Sequence, residues 1–399
     1  MSRVEDFQRW FNEVMSKIIE NLGSNVEEAQ YELSESNDIF MSTLYHVHVK
    51  FKNKTKRGQS EELSMVLKRP TQMEMHREMM DIDSQFYNEI LFYRIYARPD
   101  ENFVKCFYTE ERPPTDSVIA LENVNKLGYH LCSYKYNAPL EYTLAAIQEI
   151  GRFHGKGYVM KEQQREKFFD IVKQIKETKY DTTVDDRNKL YVNIPATRAV
   201  DYLRNQGHDA VFCDKMEAVL SNAFDAVMAK TLKPVEPLAT LCHGDFTLSN
   251  TLFKIEDDGQ LRAILIDFAT LTYSTPVVDL STFLCLCCSN EMIKDKFFEI
   301  MRAYHDTLKK YLLDAGIRDI DKYSYDALLD DYRRGALFGF VIASFFLGIL
   351  MGYNDKSLDE TDMVEYMEYC KQLGGEKLSK ILADMLLQLR DFGCLKHFL

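Results

Sequence analysis

The chain has 399 residues, of which 46% are hydrophobic and 28% charged, and this composition excludes disorder as the main state. Its 49 basic and 62 acidic residues give a net charge of −13, which excludes nucleic acid as the main partner because phosphate binding needs clustered Lys and Arg. The nine cysteines are odd in number and irregularly spaced, and no pair of histidines lies nearby at zinc-ligand spacing, so we interpret them as reduced thiols of an intracellular, cytoplasmic protein.

Hydrophobic periodicity divides the chain into two parts. The first part predicts helices over 7–22 and 71–97 and strands over 41–52, 63–68, 104–108 and 118–121. The second part predicts helices over 142–159, 161–180 and 201–230, a short β-region over 242–268, and helices from 279 to the end. We therefore predict an α+β chain with a β-rich N-terminal lobe at 1–123 and a mostly helical C-terminal lobe at 124–399.

Residues 335–353 contain no charged side chain and are long enough to span a bilayer. Four glycines dilute the hydrophobicity of this stretch, and charged helical segments flank it. We interpret it as a helix buried in a large core and expect no membrane partner.

The clearest chemical pattern lies in the short β-region. The run His-Gly-Asp-x4-Asn at 243–250 is followed by Asp258-Gly259 between two apolar runs, a sequence that predicts a hairpin. A two-residue turn at that point would place Asn250 directly opposite Asp267.

The residue types in this hairpin suit phosphate chemistry. An amide oxygen from Asn250 and a carboxylate from Asp267 are oxygen ligands of the kind that Mg²⁺ prefers. Asp245 lies in the loop that enters the hairpin, where a carboxylate can accept the proton of an attacking hydroxyl. This order of Asp, Asn and Asp is typical of phosphotransfer sites.

Two residues of the N-terminal lobe complete the pattern. Lys68 ends a predicted strand, and Glu89 follows 21 residues later on the predicted long helix. A strand lysine held by a helix glutamate is the usual arrangement for binding the phosphates of ATP.

These motifs together resemble a known family. The run at 243–250, Ile-Asp-Phe at 266–268 and Pro-Val-Val-Asp-Leu at 276–280 resemble the aminoglycoside phosphotransferase and choline kinase superfamily. More narrowly, the chain resembles the ecdysteroid-kinase-like (CHK-kinase-like) family of arthropods. Shorter agreements in the family's order are found at 67–70, 86–89, 121–123 and 153–155.

The resemblance implies a bilobal protein-kinase-like fold and an ATP- and Mg²⁺-dependent kinase of a small alcohol. It makes Asp245 the catalytic base and Asn250 and Asp267 the metal ligands. It also assigns ATP contacts to Lys68, Glu89, the backbone of Glu122, Asn123 and Val124, and Ser42 in the nucleotide loop. Of the remaining motif residues, His243 would brace the loop, Asp279 would anchor it or cap the next helix, and His154 would be a core histidine.

Three alternatives remain open on the sequence. The acceptor is expected to be an ecdysteroid or a similar lipophilic alcohol, while choline, ethanolamine or another amino alcohol is the second possibility. The third is a catalytically inactive kinase-like binding protein, because the nucleotide loop near 34–42 contains no glycine, which close backbone approach to phosphate usually requires. The sequence does not determine the oligomeric state.

Overall fold

A computed structural model describes residues 3–23, 26–38, 41–53, 59–98, 101–178, 186–356 and 362–399. The chain forms two compact units. The first unit contains Met1–His130, Ile175–Lys179 and Ile264–Thr270, and the second contains Leu131–Gln174, Tyr180–Ala263 and Leu271–Leu399.

The first unit is built mainly on antiparallel strands. Its elements are α1 (Arg3–Leu22), β1 (Val26–Asp38), β2 (Ser42–Asn53), β3 (Gln59–Pro70), α2 (Glu74–Met79), α3 (Ile82–Leu91), β4 (Cys106–Glu110) and β5 (Val118–Glu122). A π-helical turn, Phe92–Tyr96, continues directly from α3.

The rest of the chain is mostly helical. Its elements are β6 (His130–Leu131), α4 (Leu140–Gln163), α5 (Arg165–Val172), α6 (Asp186–Ala196), α7 (Arg198–Asn205), α8 (Ala210–Leu220), α9 (Ala229–Thr231), β7 (Thr240–Cys242), β8 (Thr251–Ile255), β9 (Leu261–Leu265), β10 (Thr272–Ser274), α10 (Val277–Cys287), α11 (Asn290–Asp314), α12 (Tyr325–Gly335), α13 (Leu337–Leu350), α14 (Met363–Gln372) and α15 (Gly375–Asp391).

The sheet of the first unit has the order β1-β2-β3-β5-β4, and all its neighbours are antiparallel. Alternate residues of β2 and β3, such as Val47 and Leu67, pack with Trp10 and Val14 of α1 in one hydrophobic core. Because side chains alternate between the two faces of a strand, the residue after Leu67 points away from α1. That residue is Lys68, so α1 fixes the face on which the lysine is presented.

The start of this unit differs from the sequence-based expectation in two respects. The strand β1 was missed because it lies at the sheet edge and carries polar residues along most of its length. The stretch 34–42, predicted as a loop, comprises the end of β1, residues 39–40 outside the described part of the chain, and the start of β2 at Ser42.

The long helix predicted over 71–97 is divided into α2 and α3. Asp81 has a left-handed backbone (φ 47°), which ends the first helix and turns the chain into the second. Aspartate tolerates this conformation better than most residues, so no glycine or proline was needed here to mark the end of the helix in the sequence. The helix predicted over 161–180 is likewise shorter, because α5 is the only helix among the described residues between the end of α4 and residue 178.

The uncharged stretch at 335–353 contains α13, whose residues from Leu337 to Ser344 are all buried. Within the described residues, no single helix has both the length and the hydropathy to cross a membrane. The pair α12 and α13 passes that test jointly, with a bend of 52° between them.

The α+β prediction is confirmed. Strands dominate the N-terminal part of the chain, and helices dominate the part that follows β6.

Candidate active site

Three predicted site residues come together inside the first unit. The Nζ of Lys68 lies 2.6 Å from Oε2 of Glu89 on α3 and 2.8 Å from Oδ1 of Asp267. Glu89 is 1% exposed and the Lys68 side chain 11% exposed, so the ion pairs are shielded from solvent. The structure therefore forms the lysine–glutamate pair that the sequence predicted and adds a second carboxylate to it.

Two carboxylates share one ammonium group, and the pKa values of Lys68 and Glu89 reflect this arrangement. Burial would lower the pKa of Lys68, but the charges of Asp267 and Glu89 outweigh it and raise that pKa. Burial raises the pKa of Glu89 to about 7, an effect that Lys68 opposes and Asp267 strengthens. Glu89 is thus the carboxyl group of this cluster that takes up a proton near neutral pH.

The backbone around Asp267 is specialised. Asp267 has φ 65°, a left-handed conformation that is uncommon for a residue with a Cβ, although aspartate adopts it more readily than most residues. The next residue, Phe268, stacks on Phe92 with ring centroids 3.7 Å apart and an interplanar angle of 15°. This packing holds Asp267 beside Lys68, and uncommon backbone conformations cluster at functional sites.

The second unit organises the loop that contains Asp245. The buried carboxylate of Asp279 accepts hydrogen bonds from the backbone N–H of His243 (2.7 Å) and of Gly244 (2.8 Å). Gly244 has φ 79°, which glycine adopts without strain. Nδ1 of His243 accepts a bond from the N–H of Asp245 (3.3 Å). The loop is therefore anchored by Asp279 and braced by His243, as the sequence predicted.

Asp279 is itself held by buried partners. Nε2 of His154 lies 3.0 Å from Oδ2 of Asp279, and Nδ1 of His154 lies 2.7 Å from the hydroxyl of Tyr304. Burial alone would raise the pKa of Asp279, but the hydrogen bond and charge of His154 lower it. His154 therefore supports the loop from the core and does not face a reactant. Cys242 lies close to His154 and Asp279, but its thiol contacts the carbonyl oxygens of Ser274 and Thr275.

Asp245 and Asn250 are in direct contact. Nδ2 of Asn250 donates to the backbone oxygen of Asp245 (2.9 Å) and to its Oδ2 (2.8 Å). Both amide hydrogens are used on Asp245, so Oδ1 of Asn250 is the atom left to bind a cation. An amide oxygen such as Oδ1 of Asn250 fits the chemistry of Mg²⁺.

The hairpin prediction was correct in position but wrong in register. The N–H of Glu256 donates to the oxygen of Gln260 (2.9 Å), and Gly259 donates to the oxygen of Glu256 (2.8 Å), so the loop has three residues instead of two. Gly259 has φ 78°, which is typical of a type I turn followed by a bulge. Asn250 ends a short 3₁₀ turn before β8, and Asp267 follows β9, so the two are not a cross-strand pair.

The predicted adenine and loop residues lie in the first unit, at the ends of sheet strands or directly after them. Glu122 ends β5, and its N–H donates to the oxygen of Lys105 (2.8 Å). Asn123 donates from its backbone N–H to Ser64 (2.9 Å), and Val124 begins a 3₁₀ turn. Ser42 is 1% exposed, and its Oγ has no hydrogen-bond partner among the described residues.

Sequence reasoning missed Asn88, which is fully buried next to Glu89. Its amide donates to the backbone oxygen of Lys176 (2.8 Å). A single asparagine inside a predicted helix gives no signal of such a role, because its partner lies 88 positions away in the sequence.

The sequence model of the ecdysteroid kinase-like family matches residues 36–317. The chain belongs to this family. The match begins near the end of β1, contains all the predicted site residues, and extends just beyond α11. Membership agrees with the kinase-like fold expected from the motifs and supports a kinase-like phosphotransferase. No curated protein matches the chain.

The chain is also similar to solved structures, but with low sequence identity and low TM-scores. The GDP complex of a mutant aminoglycoside 2'-phosphotransferase-IIIa is 12% identical, with a TM-score of 0.40, and the match covers 90% of this chain and 96% of that one. The complex of APH(2")-IIIa with GDP and kanamycin is also 12% identical, with a TM-score of 0.39 and coverages of 90% and 98%.

Proposed function

We propose that this member of the ecdysteroid kinase-like family transfers the γ-phosphoryl group of ATP to a hydroxyl of a small lipophilic molecule, an ecdysteroid or a similar alcohol. The observation that carries the proposal is the largely buried Lys68, whose ammonium contacts both Glu89 and Asp267. Desolvation makes such a cluster a weak source of stability, and clusters of this kind are common at functional sites. Phosphate binding is the function we propose for this cluster.

In the proposed reaction Lys68 binds the phosphates of ATP and Glu89 holds the lysine in place. Asn250 and Asp267 would hold Mg²⁺ through oxygen atoms, and the bound ion would neutralise charge on the phosphates. The buried hydroxyl of Ser42, at the start of β2, has no hydrogen-bond partner among the described residues, which supports a role for it in a phosphate contact. The backbone from Glu122 to Val124 would contact adenine.

Asp245 is the proposed general base. Its carboxylate would accept the proton of the acceptor hydroxyl as that oxygen attacks the γ-phosphorus. Asn250 fixes the orientation of this carboxylate through Oδ2, and Asp279 fixes the loop backbone. The contribution of the protein is therefore mainly positioning and electrostatic stabilisation.

Replacement of Asp245 by Asn tests this assignment. We expect turnover of Mg-ATP with the active acceptor to fall by roughly 10²–10⁴-fold, while the Kd for Mg-ATP stays nearly unchanged, because the base acts only in the chemical step. The measurement is ADP release with a panel of steroid alcohols, amino alcohols and phenols, beside ligand titration of the same variant.

The matched control is Asp257→Asn, which makes the same change at an exposed position of the hairpin loop. This control should keep full turnover. Undiminished turnover in Asp245→Asn would remove Asp245 as the base. Turnover with quaternary amino alcohols in preference to steroid alcohols would instead select the amino-alcohol alternative.

A further inference from the structure

One buried amide connects three separate segments of the first unit. Nδ2 of Asn88 on α3 donates to the backbone oxygen of Lys176 (2.8 Å) and to that of Ala269 (3.3 Å). Oδ1 of Asn88 accepts a bond from the N–H of Lys176 (2.9 Å). Asn88 therefore binds both polar groups of one backbone residue, as a neighbouring strand would, and also reaches the residue that follows Phe268.

The adjacent residue of α3 holds the same segment. Nζ of Lys176 lies over the ring of Tyr87, 4.2 Å from its centroid, a distance at which a cation is attracted to the ring face. Tyr87 and Asn88 together fix the segment 175–178 against α3. The next residue along the helix is Glu89, which binds Lys68.

The helix α3 depends on such contacts for its orientation. It has ten residues, begins at the left-handed Asp81 and has no side-chain hydrogen bond at its N-cap. Isolated helices of this length are unstable in water, so tertiary contacts decide how α3 lies. Successive residues of an α-helix point about 100° apart, and a rotation that released Asn88 would also move Glu89 away from Lys68.

We propose that Asn88 is a positioning residue for the Lys68–Glu89 pair and that docking of segment 175–178 on Asn88 sets the rotation of α3. The inference rests on the proposed function for its effect on ATP, but the effect on Lys68 is independent of any ligand. When Asn88 loses its partners, Glu89 no longer shields Lys68, and Lys68 is less well placed for phosphate.

The test uses Asn88→Asp, which keeps the size of the side chain but replaces its donor by a carboxylate facing the oxygens of Lys176 and Ala269. The matched control is Gln85→Glu, the same chemical change at another buried position of α3, whose amide donates only to Met80 in the turn before the helix. Lys176→Ala is a second, milder variant that leaves α3 intact and removes the contact with Tyr87.

The first readout is the rate at which an amine-reactive reagent modifies Lys68 in the ligand-free full-length protein, measured by mass spectrometry. We expect faster modification in Asn88→Asp, a smaller increase in Lys176→Ala, and no more than the wild-type rate in Gln85→Glu. Equal rates in wild type and Asn88→Asp, or equal increases in Asn88→Asp and Gln85→Glu, would overturn the proposal.

The second readout is steady-state turnover. The KM for Mg-ATP should rise by about tenfold in Asn88→Asp, with a smaller change in kcat, because a polar contact that orients a binding residue is lost while the base is untouched. A KM unchanged from that of wild type would overturn the positioning role. If the wild type itself shows no Mg-ATP turnover, the proposed function fails, and Lys68 modification alone then decides on the positioning role.

Discussion

At the scale of single residues, the chain places Lys68 between two carboxylates, of which Glu89 is buried and Asp267 is partly exposed. One ammonium cannot neutralise two ionised carboxylates, so the cluster carries an excess negative charge when both are ionised. Burial and the charge of Asp267 favour the protonated form of Glu89. The stability of the ligand-free protein therefore depends on the protonation of Glu89.

Glu89→Gln should remove that dependence. The pKa of Glu89 is raised from 4.5 to about 7, so the folded state binds the proton more tightly than the unfolded state. The stabilisation this provides is complete below pH 4.5 and is lost as the pH rises through 7. Relative to Glu89→Gln, the wild type should lose on the order of 2 kcal/mol of unfolding free energy between these pH values.

The measurement is urea unfolding from pH 4.5 to 8. Glu89→Gln keeps Lys68 paired with Asp267, so it should be at least as stable as the wild type at pH 8. Glu368→Gln on the exposed side of α14 is the control and should follow the wild-type curve. If the unfolding free energies of wild type and Glu89→Gln change with pH in the same way, Lys68 does not share its charge between two carboxylates as described.

At the scale of elements, glycines determine how the helices of the second unit approach one another. A Cβ added at Gly339 of α13 would overlap the backbone carbonyl of Ser281 on α10. Gly339 therefore allows the backbones of α13 and α10 to touch at this point.

Gly339→Ala should destabilise the protein by roughly 3 kcal/mol or more, because a backbone atom cannot move aside as a side chain can. The gain in helix propensity, about 1 kcal/mol, is too small to compensate. Gly348→Ala on the same helix is the matched control, since its added Cβ would meet the side chain of Leu373 at 2.9 Å. Thermal unfolding of both variants should show the larger loss for Gly339→Ala, and equal losses would refute the close-contact explanation.

At the scale of the whole molecule, the net charge of −13 makes any binding of ATP dependent on local positive charge and on a cation. In the proposed function, Lys68 provides the local charge, and Asn250 and Asp267 are the proposed ligands of the cation. A protein that binds Mg-ATP only in its folded state must gain stability from it, whether or not it transfers phosphate.

Mg-ATP at about 100 times its Kd should therefore stabilise the protein by about 2.7 kcal/mol. Differential scanning fluorimetry of the full chain measures the effect, with ATP plus a chelator as the comparison and Lys68→Met as the control that should lose most of the shift. No shift with Mg-ATP in the wild type would favour the inactive kinase-like alternative that the glycine-free nucleotide loop raised.

The α+β class, the position of most elements and the family follow from the amino-acid sequence alone. The sequence also identifies Lys68, Glu89, Asp245, Asn250 and Asp267 as candidate site residues, because the motifs that contain them are local in the chain. Periodicity likewise located the strands β2 and β3, since it depends only on neighbouring residues.

Only the tertiary structure decided which of these groups touch. The second carboxylate on Lys68 comes from a residue 199 positions away, and the partner of Asn88 lies 88 positions away. The break at Asp81, the three-residue hairpin loop and the edge strand β1 were also decided in three dimensions. Each depends on backbone conformations and partners that packing selects, and sequence periodicity carries no information about partners so distant in the chain.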